Sequence, residues 1–194
     1  NEGNKNKTTL SGSIETTGRF GHGIYNKGDT NTTTVSGRIA TGNVSSNSGR
    51  DSYGIYNEGN DNTTTLSGDI TTINSSGYGI YNKGNKNTTI MSGTFTASGT
   101  YDSSNYGIRN SGNENITTMS GIISTVGSSS YGILNRGDEN ITTMSGIIIT
   151  GGSKAHGIES SGDTNETTVS GRITTGTRSA ALFTSGDGNK FTLD

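Results

Sequence analysis

Residues 131–150 read YGILNRGDENITTMSGIIIT, and this stretch decides the fold because variants of it recur along the whole chain. The shared pattern is N-x-G-[ND]-x-N-x-T-T-[LVM]-S-G-x-I-x-T. Its copies start at positions 1, 26, 57, 82, 110, 135, 160 and 184. A period of roughly 25 residues is typical of stacked repeat proteins. We therefore interpret residues 1–194 as one repetitive segment, and expect it to belong to a longer solenoid.

Aligning the copies on their Ser-Gly dipeptide places equivalent positions in columns, of which three are apolar. The first column contains Leu10, Val35, Leu66, Met91, Met119, Met144, Val169 and Leu193. The second, four residues later, contains Ile14, Ile39, Ile70, Phe95, Ile123, Ile148 and Ile173. An even spacing is the period of a strand with one buried face. The third lies in the Y-G-I-Y-N segment and contains Ile24, Ile55, Ile80, Ile108, Ile133 and Ile158.

Three short strands and three corners per copy predict an all-β fold, a parallel β-helix or β-solenoid of seven to eight coils. A glycine at every N-x-G link fits a corner at which the backbone turns through positive φ. No copy shows the i, i+3, i+4 spacing of apolar residues that a helix needs.

A polar column shares the inward parity. It contains Asn6, Asn31, Asn62, Asn87, Asn115, Asn140, Asn165 and Asn189. All but the last begin an N-x-T sequence, the acceptor of N-linked glycans. An inward side chain leaves no room for a glycan, so we predict instead a structural ladder of asparagines bonded from coil to coil.

The composition excludes several classes of function. Leu, Ile, Val and Phe number only 32 of 194 residues, and the net charge is −2 at pH 7. The absence of cysteine excludes disulfides, thiolate metal sites and a cysteine nucleophile. Without a basic patch or tryptophan, nucleic-acid binding is not expected. No apolar run is long enough to cross a membrane, so we expect membrane attachment only through a translocator or anchor outside this sequence.

Two sets of residues resemble catalytic or metal-binding groups, and we interpret both as structural. His22 lies in a Gly-His-Gly triplet, but its column continues with tyrosines and offers no paired carboxylates for acid–base chemistry. Asp29, Asp138, Asp163 and Asp187 follow the turn glycine, where other copies have asparagine. Capping of the turn explains that alternation better than a calcium site does. We predict no catalytic, cofactor-binding or metal-binding residues.

Outward positions offer two surfaces for recognition. A threonine column contains Thr9, Thr34, Thr65, Thr118, Thr143, Thr168 and Thr192, with Thr32, Thr63 and Thr88 beside it. Such an array is similar to those of ice-binding solenoids, although high β-propensity explains exposed threonine equally. Tyr25, Tyr56 and Tyr81 form an outward aromatic column, suited either to carbohydrate or protein contacts or to stiffening the rod.

The length variation between copies falls mainly at residues 42–52 and 98–105, which we expect to project from one corner as loops. Loops on a rigid scaffold commonly carry recognition residues. From these inserts we select Arg50, Asp51, Tyr101 and Asp102 as binding candidates, together with the three outward tyrosines.

The G-I-x-N-x-G and S-G-x-I columns resemble the passenger domains of bacterial autotransporter adhesins. That resemblance implies a right-handed helix and a non-enzymatic adhesive stalk, extracellular on the bacterial surface, with a host-cell or surface glycan or protein as ligand. Alternatives are an ice-binding solenoid and a polysaccharide-binding phage tailspike or lyase-like β-helix. Neither end of the sequence shows an atypical capping repeat, so we also consider end-to-end self-association.

Overall fold

The computed structural model describes residues 1–17, 21–42, 50–73, 76–98 and 104–194, without the side chains of Arg50 and Asp51. Each coil contributes one strand to each of three parallel sheets, which we call A, B and C. The described residues contain no helix. The predicted all-β parallel β-solenoid is thus confirmed, and its right-handed sense stays a prediction.

The strands follow the repeat. Sheet A contains the Y-G-I-Y-N segments: β3 (Ile24–Lys27), β6 (Arg50–Glu58), β9 (Ser76–Lys83), β12 (Tyr106–Ser111), β15 (Tyr131–Arg136), β18 (Ile158–Ser161) and β21 (Leu182–Ser185). Sheet B contains the threonine-rich segments: β1 (Lys7–Leu10), β4 (Thr32–Val35), β7 (Thr63–Leu66), β10 (Thr88–Met91), β13 (Ile116–Met119), β16 (Ile141–Met144), β19 (Glu166–Val169) and β22 (Lys190–Leu193). Sheet C follows the Ser-Gly corner: β2 (Ser13–Thr16), β5 (Arg38–Gly42), β8 (Asp69–Ile73), β11 (Thr94–Ala97), β14 (Ile122–Thr125), β17 (Ile147–Thr150) and β20 (Arg172–Thr175).

Equivalent residues of successive copies pair with each other. Met119 in β13 pairs with Met144 in β16, and Ile123 in β14 pairs with Ile148 in β17. Because neighbouring strands in a sheet lie about 4.8 Å apart, each column of the sequence becomes a column along the rod axis.

The core is narrow and consists of the three apolar columns. Residues such as Ile55, Leu66 and Ile70 are almost completely buried, and the inward-facing residues of all three sheets form one cluster. A coil contributes about three such side chains, each stabilising by roughly 1.5–3 kcal/mol on burial. A single coil could not offset the backbone entropy of its own ordering, so its stability depends on its neighbours.

The corner between sheets A and B has the same backbone conformation in each copy. The link glycines have positive φ, as predicted, for example 126° at Gly137. Two residues later a non-glycine residue takes the left-handed conformation with φ between 56° and 60°: Lys5, Thr30, Asp61, Lys86, Glu114, Glu139 and Thr164. In the last copy Gly188 holds this position, with φ of 69°.

The Asn or Asp residue between these two turn positions fastens one coil to the next. The side-chain Oδ1 of Asn4 accepts the backbone N–H of Asp29 at 2.8 Å, and Oδ1 of Asp29 accepts that of Asn60 at 2.8 Å. The same bond continues to Asp187, which donates to Oδ1 of Asp163. The carboxylates in this column therefore act as hydrogen-bond acceptors that join the turns of successive coils.

Candidate functional site: the outer face of sheet A

Ten rings form a continuous layer on the outer face of sheet A, which we call the aromatic face. One column contains His22, Tyr53, Tyr78, Tyr106, Tyr131 and His156. The other contains Tyr25, Tyr56, Tyr81 and Phe183. Seven of the eight tyrosines of the chain lie here, and most of them are half-buried.

The two columns lie three residues apart in the sequence, yet their side chains point to the same face. They do so because the alternation of inward and outward side chains is interrupted within the strand. Between Tyr53 and Tyr56, both Gly54 and Ile55 face the core. A Cβ on Gly54 would lie 2.4 Å from the Ile70 side chain and 2.7 Å from the carbonyl oxygen of Gly79. Only glycine fits, and its presence in each complete Y-G-I segment turns both flanking rings outward.

Most neighbouring rings within a column are stacked, but Tyr78 and Tyr106 meet edge to face at 4.6 Å and Tyr131 is tilted against His156. Tyrosine rings of different columns meet edge to face. Tyr25 and Tyr56 are stacked at 5.0 Å, and Tyr56 and Tyr81 at 5.1 Å. Tyr53 meets Tyr56 at 5.2 Å with an interplanar angle of 73°. Such pairs add about 0.5–1.5 kcal/mol beyond area burial. Stacking covers the flat faces of the inner rings, so a ligand would meet ring edges and phenol hydroxyls there.

In the second column the run of tyrosines ends at Tyr81, and the next two coils have Arg109 and Leu134 at the equivalent position. The Arg109 guanidinium carbon lies 4.9 Å from the Tyr81 ring centre, 5.5 Å from that of Tyr78 and 5.6 Å from that of Tyr106. Leu134 is 0% exposed and packs with Tyr78 and Tyr106 in a second apolar cluster. An apolar layer therefore exists outside sheet A as well as inside it.

Glu159 follows Leu134 in the same column and precedes Phe183. Burial raises the pKa of its carboxyl above the ordinary value, and the nearby His156 and Arg136 oppose that rise. Neither of the ion pairs seen in the described part of the chain, Lys83–Glu58 and Lys86–Glu114, includes it. A half-buried carboxylate thus lies in a layer made largely of rings.

A charged cluster lies at the edge of the aromatic face. The Glu58 carboxylate accepts the Tyr25 hydroxyl at 2.6 Å and binds the Lys83 ammonium at 2.9 Å. The hydrogen bond to Glu58 raises the pKa of Tyr25 to about 12. Bonds from Lys83 and Tyr25 hold the pKa of Glu58 below its ordinary value.

The two histidines of the aromatic face accept backbone hydrogen bonds. His22 Nδ1 accepts the N–H of Tyr53 at 3.3 Å, and His156 Nδ1 accepts that of Ala180 at 2.9 Å. Each histidine therefore joins its coil to the next, which is a structural role. The described residues contain no group of three or more His, Cys, Asp or Glu side chains that could hold a metal ion.

The predicted asparagine column joins the coils through the backbone. Oδ1 of Asn140 accepts the backbone N–H of Asn115 at 2.9 Å, and its Nδ2 donates to the carbonyl oxygen of Gly137 at 2.9 Å. Equivalent bonds to Oδ1 link the column from Asn6 to Asn189. The glycan acceptor atoms are thus turned toward the protein.

A second asparagine column, which the sequence reasoning missed, forms a direct chain of side-chain amides. It contains Asn26, Asn57, Asn82, Asn110 and Asn135. From Asn26 to Asn110, each Nδ2 donates at 2.8 Å to Oδ1 of the next member, and Nδ2 of Asn135 donates to the Ser160 hydroxyl at 3.4 Å. Each of the five also donates to a threonine hydroxyl of its own coil at 2.8–3.0 Å. The constant Asn of the Y-G-I-Y-N segment was the available signal.

Of the binding candidates named from the sequence, the structure brings Tyr25, Tyr56 and Tyr81 together on the aromatic face. Tyr101 and Asp102 lie outside the described residues, and so do the side chains of Arg50 and Asp51. The Tyr53 column was assigned no face from the sequence, because strict alternation does not place two columns three residues apart on one side.

The outer faces of sheets B and C are mainly polar, but isoleucines are exposed on both: Ile90, Ile116 and Ile141 on sheet B, and Ile122, Ile147 and Ile149 on sheet C. Thr9, Thr34 and Thr65 lie in register, as do Thr118, Thr143, Thr168 and Thr192, with Ile90 between the two runs. Beside them Ile116 and Ile141 are each 43% exposed, and a shallow depression there is bordered by Glu114, Glu139 and Glu166.

Comparisons with protein-family models, with curated proteins and with solved structures find no match. Among the described residues there is no helix with the length and apolarity that crossing a membrane requires.

Proposed function

We propose that this chain is a non-enzymatic, extracellular β-helical stalk of a bacterial surface adhesin, and that it contacts its ligand through the aromatic face. The observation that carries the proposal is the continuous layer of ten rings on one side of the rod. Aromatic residues are enriched at protein interfaces because they bury much area at little conformational cost.

The interior supports a stalk. Three columns of Asn or Asp side chains and three parallel sheets connect each coil to its neighbours. Hydrogen bonds between buried polar groups rigidify a structure. Every asparagine of the column from Asn6 to Asn189 is joined to a neighbouring coil through its Oδ1 or backbone N–H, although Nδ2 of Asn62 and of Asn165 has no partner among the described residues. A rigid rod holds a surface at a fixed distance and orientation, which is what a stalk must do.

The test is binding of the 194-residue chain to a glycan array and to host epithelial cells. The principal variant carries Tyr25→Ser, Tyr56→Ser and Tyr81→Ser, which removes the three tyrosines of one aromatic column. The matched control carries Ile116→Ser and Ile141→Ser on the outer face of sheet B. Circular dichroism is used to check that both variants remain folded.

We expect the tyrosine variant to lose binding and the isoleucine variant to keep it. If the unmodified chain did not bind, its proposed role would be reduced to that of a passive spacer. Equal binding by the unmodified chain and the tyrosine variant would remove the aromatic face from the proposal. A further variant with residues 43–49 shortened then decides whether the inserts carry recognition, as the sequence predicts.

Ice binding is the second candidate, and the in-register threonine column of sheet B favours it. Seven threonines lie on eight successive coils at the spacing of the sheet. The charged side chains of Lys7, Glu166 and Lys190 lie beside this column, and they would bind liquid water strongly. Measurement of thermal hysteresis decides the matter, with Thr118→Lys as the variant that should abolish any effect.

A further inference from the structure

Six tyrosines of the aromatic face are in contact one after another, and we call this series the tyrosine path. Consecutive ring centres lie 4.6–5.3 Å apart in the order Tyr131, Tyr106, Tyr78, Tyr53, Tyr56 and Tyr25. Tyr81 offers a second route between Tyr78 and Tyr56, with separations of 5.7 Å and 5.1 Å. The path extends from β15 to β3, which is four strand spacings or about 19 Å along the rod.

Such a series of rings can transfer electrons. A phenol that has lost an electron to an oxidant can regain it from a neighbouring phenol, and rings in van der Waals contact exchange electrons readily because their π systems overlap. The chain contains neither cysteine nor tryptophan, so tyrosine is the side chain that one-electron oxidants attack most readily. An oxidising equivalent taken up at one ring can therefore move along the tyrosine path.

The Tyr25 end of the path has a base on its hydroxyl. Tyr25 donates its phenol hydrogen to Oε2 of Glu58 at 2.6 Å, while Oε1 of the same carboxylate accepts from the Lys83 ammonium at 2.9 Å. Loss of an electron makes a phenol strongly acidic, so its proton has to leave as well. Oε2 of Glu58 lies within the hydrogen-bond distance that a general base needs to take that proton.

Arg109 places a positive charge against the middle of the path. Its guanidinium carbon lies 4.9–5.6 Å from the ring centres of Tyr78, Tyr81 and Tyr106. A cation at these distances opposes the loss of an electron from the rings beneath it. At Tyr25, in contrast, transfer of the proton to Glu58 leaves the oxidised ring neutral. Both effects favour Tyr25 as the residue that stays oxidised.

We propose that the aromatic face carries oxidising equivalents along the rod, and that they settle on Tyr25 as a neutral tyrosyl radical with Glu58 as the proton acceptor. In the net reaction a one-electron oxidant gains the electron, the O–H bond of Tyr25 breaks, and the proton forms a new O–H bond on Oε2 of Glu58. The co-reactant is a one-electron oxidant able to oxidise a phenol, such as those that peroxidases form from hydrogen peroxide. This activity goes beyond the adhesive role and does not depend on it.

The test attaches a photo-oxidant at a known position. Ser153 is exposed and lies three residues before His156, whose ring contacts Tyr131. Because the chain has no cysteine, Ser153→Cys accepts a tris(bipyridine)ruthenium label at a single position. Tyr101→Phe is made in the same chain, since Tyr101 lies outside the described residues. After flash oxidation with a soluble electron acceptor, tyrosyl radicals are trapped by a nitroso compound and located by peptide mass spectrometry.

We expect the trapped product mainly on Tyr25. Tyr56→Phe keeps a ring in place but should abolish that product, because both routes reach Tyr25 through Tyr56 and phenylalanine is much harder to oxidise. Tyr81→Phe, the matched control, should leave the product unchanged, since the route through Tyr53 remains. Glu58→Gln should slow formation of the Tyr25 radical about 100-fold, as expected when a positioned base is lost.

Circular dichroism checks that each variant remains folded, and Glu114→Gln is the charge-removal control, which should form the Tyr25 radical at the unmodified rate. Product confined to Tyr131 and Tyr106 would overturn the proposal, because the oxidising equivalent would then have stayed near the label. So would an equal yield on Tyr25 in Tyr56→Phe, or an equal rate in Glu58→Gln. None of these measurements uses a ligand, so failure of the tyrosine path is distinguishable from failure of the adhesive role.

Discussion

Thr164 adopts φ of 56° at the corner between sheets A and B, a conformation that costs a β-branched residue about 1–2 kcal/mol. Gly188 holds the equivalent position in the next copy. We expect Thr164→Gly to stabilise the chain by about 1 kcal/mol, since glycine relieves the backbone strain. The greater entropy of glycine in the unfolded chain offsets only part of this gain. The measurement is the midpoint of urea unfolding.

The control for this substitution is Thr118→Gly, at an exposed position in the middle of β13. Here the backbone is extended, so glycine should destabilise by about 1 kcal/mol. Destabilisation at both sites would show that the left-handed corner stores no strain.

Tyr25 and Glu58 provide a prediction of pH dependence. The pKa of Tyr25 is raised and that of Glu58 is lowered from their ordinary values of 10.0 and 4.5. The hydrogen bond between Tyr25 and Glu58 should therefore stabilise the folded chain most between pH 4.5 and pH 10.0. It is lost when the pH falls through the folded pKa of Glu58, or rises through about 12, that of folded Tyr25.

The direct measurement is the ¹³Cζ titration of Tyr25. We expect a midpoint near 12 in the unmodified chain and a return toward 10.0 in Glu58→Gln, which replaces the charged hydrogen-bond acceptor of Tyr25 with a weaker, neutral one and removes the neighbouring charge. Glu114→Gln, which is remote from Tyr25 in the repeat, serves as the control. An unshifted midpoint in Glu58→Gln would rule out the carboxylate as the cause.

Much of the residue-level pattern could be predicted, because a period of two separates inward from outward side chains. It predicted the burial of Ile70, Met119 and Ile148. The left-handed residues could not be predicted, since Lys, Glu, Asp and Thr share no preference for positive φ. That position follows from the geometry of the turn and not from residue type.

At the scale of the strand, Gly132 allows β15 to approach sheet C. A Cβ there would lie 2.4 Å from the Ile148 side chain and 2.5 Å from the Gly157 carbonyl oxygen. We expect Gly132→Ala to destabilise by about 1–3 kcal/mol or more through overpacking. Gly12→Ala is the control, because no heavy atom lies within 4 Å of its added Cβ. Equal effects in urea unfolding would contradict this account.

The amide chain inside sheet A gives the second strand-level prediction. Asn110 accepts from Asn82 and donates to Thr117 and Asn135. Asn110→Ala should cost roughly 3 kcal/mol or more, because each buried polar group left unpaired costs about 1–3 kcal/mol.

Asn110→Ser should recover part of this loss, since Ser160 accepts from Asn135 at the equivalent position of a later coil. The two variants are compared by urea unfolding at constant pH. Alanine and serine variants of equal stability would show that the amide chain contributes packing and not hydrogen bonds.

The aromatic face shows the limit of strand-level reasoning. Tyr25, Tyr56 and Tyr81 were predicted to face outward from parity alone. The adjoining Tyr53 column shares their face because glycine and isoleucine turn inward consecutively, an irregularity that depends on tight packing against Ile70. Arg109 and Glu159 are the charged residues of this column, at positions where other coils have an aromatic side chain. The repeat pattern therefore could not predict them.

For the whole molecule, stacking predicts that an entire coil can be removed. Deleting residues 110–134 joins Arg109 to Asn135 and preserves every column. We expect a folded protein with a lower urea midpoint, since one set of coil–coil contacts is lost. Deleting residues 110–121 removes half a coil and should abolish the fold. Circular dichroism and size-exclusion chromatography distinguish the two, and equal behaviour would contradict the columnar description.

The amides of Asn26 to Asn135 all donate in the same sense, from each coil to the following one. Their dipoles are therefore aligned and polarise one another, strengthening each bond by about 10–30%. Reversing a coil would set donor against donor. The column of amides thus has a net dipole that points in a fixed direction along the rod. Two rods could extend the column of hydrogen bonds across their junction only if they stacked head to tail.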